Sequence, residues 1–179
     1  PEKFRLEYIN DKEEIFPVAV IAVDVVNDLA LLQTENTSPT FFDLAAQEPV
    51  KGADLFALGN PHDLGMIVVP GTYNGIKQNS FNERIHFTGA INSGMSGGPT
   101  VDQKGHVVGI NVATAGNQIG FLVPVSKLKV LIENAGDSGT ATEDELIASI
   151  RSQLIENQDK LFQQLLANEW QVQALGDAN

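Results

Sequence analysis

Short apolar stretches separated by polar turns dominate the chain up to about residue 135. Residues 4–9 alternate between apolar and polar side chains, and residues 15–23 form a longer, nearly continuous apolar run. Similar stretches follow, with Gly, Pro and Asn between them, a pattern typical of antiparallel strands in a barrel or a sandwich. Beyond residue 23, the strands that this pattern predicts cover residues 28–33, 53–59, 66–76, 84–89, 106–113 and 119–125. We therefore expect an all-β fold for this part of the chain.

The pattern changes to helical spacing near residue 126. Residues 126–134 have apolar side chains three and four positions apart, and Ser126 is a candidate N-cap. A second helix is predicted from Thr142, because Thr142 and Glu145 have the spacing of a capping box. This helix, over 142–168, is predicted to dock on its own barrel or on another chain, which makes it a candidate for oligomerisation. Its apolar stripe consists of Ile147, Ile150, Leu154, Leu161 and Leu165.

Composition divides the chain into two parts and excludes several classes of protein. Thirteen of the 16 glycines and all eight prolines precede residue 136, so we expect one strand-rich domain over 1–135 and a linker with an amphipathic helical tail over 136–179. The net charge of −12 disfavours nucleic acid as a partner. No apolar run approaches the ~20 residues of a membrane-spanning helix. The absence of cysteine excludes a disulfide, a thiolate nucleophile and a cysteine-based metal site.

One serine lies in an unusually glycine-rich stretch, Gly94-Met95-Ser96-Gly97-Gly98-Pro99. The pattern Gly-x-Ser-x-Gly also fits the nucleophile elbow of α/β-hydrolases, which needs a buried strand before the serine and a helix after it. Two glycines and a proline directly after Ser96 are a poor start for a helix. Asp102 and His106 also lie within a single hairpin of Ser96, which does not suit the hydrolase triad. We therefore exclude the elbow.

The longer string Gly-x-Ser-Gly-Gly-Pro, followed by a hairpin and the strand "VVGIN", resembles the trypsin-like serine proteases of chymotrypsin fold. The closest likeness is to the bacterial Deg/Htr-type branch. Three more segments resemble motifs of that branch in the same order: "DVVNDLALL" (24–32), "ALGNP" (57–61) and "IGFLVPVSKL" (119–128). The resemblance covers residues 1–134. It implies a double antiparallel β-barrel, with the N-terminal barrel incomplete in this chain and an α-helical extension after the C-terminal barrel.

The resemblance also implies roles for individual residues. Ser96 is the expected nucleophile, and the backbone amides of Gly94 and Ser96 are the expected oxyanion hole. Asp28 is the expected acid that orients a histidine. Because it begins an apolar strand, we expect a buried carboxylate there, whereas Asp24 is expected to be a solvated turn residue. No metal or cofactor is implied.

The histidine of the triad has no counterpart at the family position within these residues. Family order is His, Asp, Ser, and counting back from Asp28 places the expected histidine upstream of residue 1. Of the three histidines present, His62 is expected in a surface turn, His86 in a strand and His106 on the solvent side of a hairpin. We therefore expect these 179 residues to be part of a longer protease, and to be inactive alone.

Two functional hypotheses follow. The leading one is a serine endopeptidase that cleaves protein or peptide substrates, and the alternative is a catalytically inactive peptide-binding or scaffold module. The family resemblance suggests a periplasmic or secreted location.

The primary specificity pocket is expected to be lined by Ala90, Ile91, Ile110, Asn111 and Val112. Ala90 stands six positions before the serine, where enzymes specific for basic residues carry Asp. The two segments that line the pocket, 89–92 and 110–113, hold no carboxylate. We therefore expect the substrate residue before the scissile bond to be uncharged and apolar.

Overall fold

The computed structural model describes residues 6–10, 12–35, 40–61, 65–77, 82–116, 119–136 and 140–167. Every predicted strand is present with small shifts at its ends, although the beginning of the first lies outside the described residues. The strand Pro99–Val101 was not predicted separately. Within the described residues, the elements are β1 (Glu7–Ile9), β2 (Ile15–Asp24), β3 (Leu29–Thr34), β4 (Asp54–Gly59), β5 (Ile67–Ile76), β6 (Ile85–Phe87), β7 (Pro99–Val101), β8 (Val107–Thr114), β9 (Gly120–Pro124), α1 (Val125–Ala135) and α2 (Glu143–Ala167).

Six strands form a closed antiparallel barrel in the order β4-β5-β6-β9-β8-β7. β7 closes it by pairing with β4, with Phe56 opposite Val101. The core lies inside the barrel, because alternate residues such as Leu55 and Ala57 of β4 point inward and are fully buried. Phe87, Ile85, Met95 and Leu122 are among the largest fully buried side chains.

β1, β2 and β3 form a separate, open antiparallel sheet in that order. Its register is irregular between Val20 and Ala22. None of the residues in these three strands is buried, although β2 is nearly continuous in apolar side chains. Both helices contact β2. The sheet is therefore covered only in part by the described residues.

Helix α1 follows β9 without a loop and ends at Ala135. Gly136 is its C-cap: the Gly136 amide donates to the Ile132 carbonyl over 3.2 Å, and the φ of Gly136 is +54°. The prediction that Ser126 caps this helix was wrong. The helix begins at Val125 with Pro124 in the N-cap position, and no side chain caps it. The ring of Pro124 fixes its φ at −58°, and its ψ of 142° is extended, so helical backbone angles begin at Val125.

The capping box of α2 is confirmed. The Thr142 amide and hydroxyl each donate to Glu145 Oε2 over 2.8 Å, and the Glu145 amide donates back to Thr142 Oγ1 over 3.3 Å. The helix runs for 25 residues and contacts β2 of the open sheet. Of the predicted stripe, only Ile150 and Leu161 are half-buried, while Ile147, Leu154 and Leu165 are exposed. Among the described residues, neither helix is apolar over a length that would cross a bilayer.

Candidate active site

Ser96 lies on the loop between β6 and β7, at the surface of the closed barrel. Its neighbour Met95 is fully buried and packs against Gly59 of β4. A Cβ at Gly59 would lie 2.8 Å from the Met95 Cα, so only glycine allows the loop to approach β4 this closely. Met95 therefore anchors the loop in the core and leaves Ser96 exposed.

Asn111 of β8 fixes the same loop through a buried carboxamide. Its Nδ2 donates to the carbonyls of Leu58 (2.9 Å) and Met95 (3.1 Å), and its Oδ1 accepts from Thr100 Oγ1 over 2.6 Å. The side chain is 1% exposed. This corrects the expectation of a substrate contact, because the Asn111 side chain is directed into the barrel and its hydrogen-bonding capacity is used there. A polar residue within the apolar strand 107–112 was the sequence signal for such a buried network.

The backbone amides of the loop differ in whether they have an acceptor. Met95, Gly97 and Gly98 donate to the carbonyls of Asn92 (3.0 Å), Asn111 (2.8 Å) and Met95 (3.1 Å), respectively. Within the described part of the chain, the amides of Gly94 and Ser96 have no acceptor. Gly94 has a φ of +93°, a conformation that favours glycine. The loop therefore presents two unpaired N–H donors, one on each side of the buried Met95.

The Ser96 hydroxyl donates to the Val112 carbonyl over 3.1 Å. Among the described residues, no imidazole or carboxylate forms a hydrogen bond with this hydroxyl. The serine is thus held against β8 by one hydrogen bond to backbone and is accessible from solvent.

Asp28 lies in the β2–β3 turn, not in a strand. It is exposed and has a φ of +62°, and β3 begins at the next residue, Leu29. The expectation of a buried carboxylate was therefore wrong, because Asp28 occupies an exposed position of the turn instead of the apolar strand that follows. Among the described residues, the Asp28 side chain makes no hydrogen bond or ion pair, and therefore none with Ser96.

Asp24 is a structural residue of the same turn rather than a solvated one. It is half-buried at the end of β2, where its carboxylate accepts from the Asn27 amide (2.9 Å) and from Asn27 Nδ2 (2.7 Å). Arg84 Nη2, from the segment before β6, donates to the Asn27 carbonyl over 3.3 Å. This bond links the turn before Asp28 to the closed barrel.

Neither of the two described histidines makes a hydrogen bond to Ser96 or Asp28. His86 of β6 is half-buried, with its ring centroid 6.4 Å from that of Phe121. His106 lies in the β7–β8 hairpin with Nδ1 3.2 Å from Asp102 Oδ2. Burial raises the pKa of Asp102, but hydrogen bonds from the His106 and Lys104 amides and from the His106 ring outweigh it and hold that pKa below its usual value. His62 lies outside the described residues.

The predicted specificity residues fall into two groups. Ala90 is exposed, and Ile110 and Val112 are half-buried. Ile91 instead belongs to the core, at 3% exposure, where it packs against Gly120. Among the described residues, no group of three or more His, Asp or Glu side chains could hold a metal ion.

Comparisons with known proteins agree with this geometry. Residues 2–110 match the family model of the trypsin-like peptidase domain. The chain is 30% identical over 154 residues to a probable periplasmic serine endoprotease DegP-like of Rhizobium meliloti, covering 80% of this chain and 30% of that protein. It is 32% identical over 143 residues to the periplasmic serine endoprotease DegP of Salmonella typhimurium, covering 73% and 30%. The crystal structure of the serine endoprotease from Yersinia pestis superposes with a TM-score of 0.67 at 24% identity, covering 76% of this chain and 50% of that one.

A closed antiparallel barrel that carries an exposed serine on a glycine-rich loop defines the chymotrypsin-fold class. The chain belongs to the trypsin-like peptidase domain family, and its relatives assign it to the Deg/Htr branch. The predicted chymotrypsin-like all-β fold is confirmed, with one barrel closed and the remaining strands in an open sheet. The chain spans about 30% of the length of these curated relatives.

Proposed function

We propose that this chain carries the nucleophile, the oxyanion hole and the orienting acid of a serine endopeptidase. The observation that carries the proposal is the pair of unpaired amides at Gly94 and Ser96 beside an exposed serine hydroxyl. Three of the five amides between Gly94 and Gly98 are bonded within the protein, so the two that remain are those an oxyanion needs. Family membership supports the same assignment.

In the proposed mechanism, Ser96 Oγ leaves its bond to the Val112 carbonyl and attacks the carbonyl carbon of the substrate. A histidine upstream of residue 1 takes the hydroxyl proton and then delivers it to the leaving amine. The oxyanion of each tetrahedral intermediate accepts hydrogen bonds from the Gly94 and Ser96 amides. Water, activated by the same histidine, hydrolyses the acyl-enzyme. Asp28 accepts a hydrogen bond from the histidine and fixes its tautomer.

The proposed substrates are proteins or peptides with an uncharged, apolar residue before the scissile bond. Ala90, Ile110 and Val112 supply small or apolar surface, and no carboxylate occurs in residues 89–92 or 110–113 to pair with Lys or Arg. A basic side chain would therefore lose hydration without gaining a counter-charge. In this proposal residues 1–135 form the protease domain, and the protein works in the periplasm or after secretion, as the names of its relatives suggest.

The alternative is an inactive, protease-like module that binds peptides or other proteins. The observation in its favour is that Ser96 bonds to a backbone carbonyl and that neither described histidine contacts it. The two hypotheses differ in the reactivity of one oxygen, since an unactivated serine is a weak nucleophile.

A fluorophosphonate probe tests that reactivity. In the native protein, we expect covalent labelling at Ser96, located by mass mapping of the labelled peptide. Ser93→Ala is the matched control, because Ser93 is an exposed serine of the same loop. This control should label normally and Ser96→Ala should not. The 179-residue chain alone is expected not to label. A native protein that does not label, or one that labels at another serine, would contradict the proposal.

A further inference from the structure

We propose that Gln153 of α2 is a positioning residue for Asp28, and that α2 holds the β2–β3 turn (residues 25–28) in the conformation that the reaction needs. The inference rests on the proposed function, because it concerns the acid assigned to the triad. It adds a role for the C-terminal helix, which packs on the end of the sheet that bears Asp28.

The contact is a paired hydrogen bond between the Gln153 carboxamide and the end of β2. Nε2 donates to the Val23 carbonyl over 2.7 Å, and Oε1 accepts from the Val25 amide over 2.9 Å. Ser149 Oγ, one helical turn earlier, accepts a further bond from Nε2 over 3.0 Å. A carboxamide has a donor and an acceptor on one planar group, so Gln153 satisfies the strand end in the way a neighbouring strand would.

The turn before Asp28 is therefore fixed from three directions. Gln153 holds Val25, Asp24 holds Asn27 through two bonds, and Arg84 donates to the Asn27 carbonyl. Arg84 belongs to the barrel that carries Ser96, and Gln153 belongs to the helical extension. The position of Asp28 thus depends on contacts from both the barrel and α2.

The hydrogen bonds from α2 to the end of β2 come from a single side chain, Gln153, among the described residues. The helix and the turn face each other across a cavity of about 480 Å³, whose lining includes Val26, Asn27, Gln153 and Asn157. Among the described residues, the two Gln153 bonds are the only direct hydrogen bonds between α2 and the β2 end of the sheet. No other described hydrogen bond between these two elements would remain after their loss.

Asp28 needs such support for two reasons. Its φ of +62° lies in the left-handed region, which Asp tolerates better than most residues but at a backbone cost that glycine does not have. Its carboxylate also has no partner within the described residues, so its direction follows from the backbone of the turn. When Gln153 is removed, we expect the turn to visit other conformations and the carboxylate to orient the histidine less often.

Hydrogen exchange tests the structural half of the inference in the native protein. In Gln153→Ala, amides in peptides that cover residues 23–28 should exchange about five- to tenfold faster, because both bonds to the end of β2 are lost and the Val25 amide no longer has its acceptor. Gln158→Ala is the matched control, because Gln158 is an exposed glutamine of the same helix. Gln153→Glu keeps an acceptor for Val25 but has no donor for Val23, so an intermediate increase is expected. Unchanged exchange in both Gln153 variants overturns the inference.

Kinetics test the functional half. In the native protein, Gln153→Ala should lower kcat roughly ten- to a hundredfold with KM unchanged, the size expected for a misplaced catalytic group. Gln158→Ala should keep full activity. In an Asp28→Asn background, which itself should lower kcat about 10⁴-fold, Gln153→Ala should have no further effect.

The same double-mutant cycle separates the inference from the proposed function. Full activity of Asp28→Asn would refute the triad assignment, whatever Gln153 does. An inactive Asp28→Asn combined with a fully active Gln153→Ala would overturn the positioning role and leave the protease assignment intact. Equal effects of Gln153→Ala with and without the Asp28 carboxylate would also overturn it, because they would indicate general destabilisation.

Discussion

The closed barrel and the three-stranded sheet are built from similar apolar strands, yet they bury their side chains to different extents. Leu55 of β4 and Ile85 of β6 are 0% exposed, whereas Ile15 of β2 is 57% and Leu32 of β3 is 48% exposed. In the barrel every strand has two paired neighbours, but β1 and β3 are edges of an open sheet. Apolar periodicity thus predicts that a strand forms, while its burial depends on closure of the sheet.

The proposed catalytic residues are divided between these two regions. Ser96 and its unpaired amides lie on a loop that Met95 and Asn111 fix to the closed barrel. Asp28 lies on a turn of the open sheet, where Gln153 and Arg84 supply outside contacts. The proposed oxyanion hole is therefore preorganised by core packing, and the proposed acid is positioned by a small number of polar contacts.

The largest expected effect is a loss of peptide hydrolysis without a loss of stability of the barrel. Ser96→Ala in the native protein should lower peptide hydrolysis by several orders of magnitude, leaving only ~10³–10⁴-fold catalysis over water. The melting temperature should hardly change, because the exposed hydroxyl makes a single hydrogen bond, to the Val112 carbonyl. Peptide hydrolysis and thermal melting of the same preparation measure both quantities. Substantial residual turnover would remove Ser96 from the mechanism.

The next effect concerns stability and compares the two regions directly. In the 179-residue chain, Leu55→Ala should destabilise by about 2–5 kcal/mol, because it leaves a cavity in a closed core. Leu32→Ala, the same change in the open sheet, should cost about 1 kcal/mol or less, since nearly half of that side chain is already in solvent. Urea unfolding of both variants measures the difference. Equal costs would mean that the sheet is covered in solution, and the comparison would fail.

Local periodicity was sufficient to predict most elements of this fold. The strands, the second helix and the Thr142–Glu145 capping box follow from side chains a few positions apart, which is the range over which a sequence carries such signals. The closure of six strands into a barrel depends on pairings between distant residues, such as Phe56 with Val101. It was predicted through family resemblance and not through the pattern of single strands.

The site was predicted less completely, because the role of a residue depends on where its side chain points as well as on its type. Ser96, Gly94 and Asp28 were chosen from motifs, but the exposure of Asp28 follows from a turn whose φ is not encoded in an apolar pattern. Asn111 was expected at the substrate, and it faces the core because β8 alternates in that register. Gln153 had no local signal, since its partners lie 128 and 130 positions away in the chain.

A smaller effect concerns the stability of the closed barrel at alkaline pH. Burial, a hydrogen bond to Glu48 and the charge of Glu48 raise the pKa of Tyr73 from 10.0 to about 12. The folded chain therefore keeps a proton that the unfolded chain loses, so stability should fall as pH rises from about 10 to about 12. Tyr73→Phe should lose this part of the pH dependence. Identical alkaline unfolding profiles of the two proteins would contradict the assignment.

The smallest expected effect lies at the start of α2 and tests how the helix on the open sheet is held. Hydrogen bonds from the Thr142 amide and hydroxyl hold the pKa of Glu145 below its ordinary value of 4.5. The ionised form is thus favoured in the folded state, so its stabilisation is present above pH 4.5 and is lost as pH falls through the lower, folded pKa. Glu145→Ala should therefore raise hydrogen exchange over residues 142–146 at neutral pH, with little change in the barrel.

Glu143→Ala is the matched control, because Glu143 is also acidic and exposed in the first turn but lies outside the capping box. In acid, thermal melting should no longer distinguish Glu145→Ala from the unsubstituted chain. An effect of equal size from Glu143→Ala would assign the stabilisation to the helix dipole instead of the capping box.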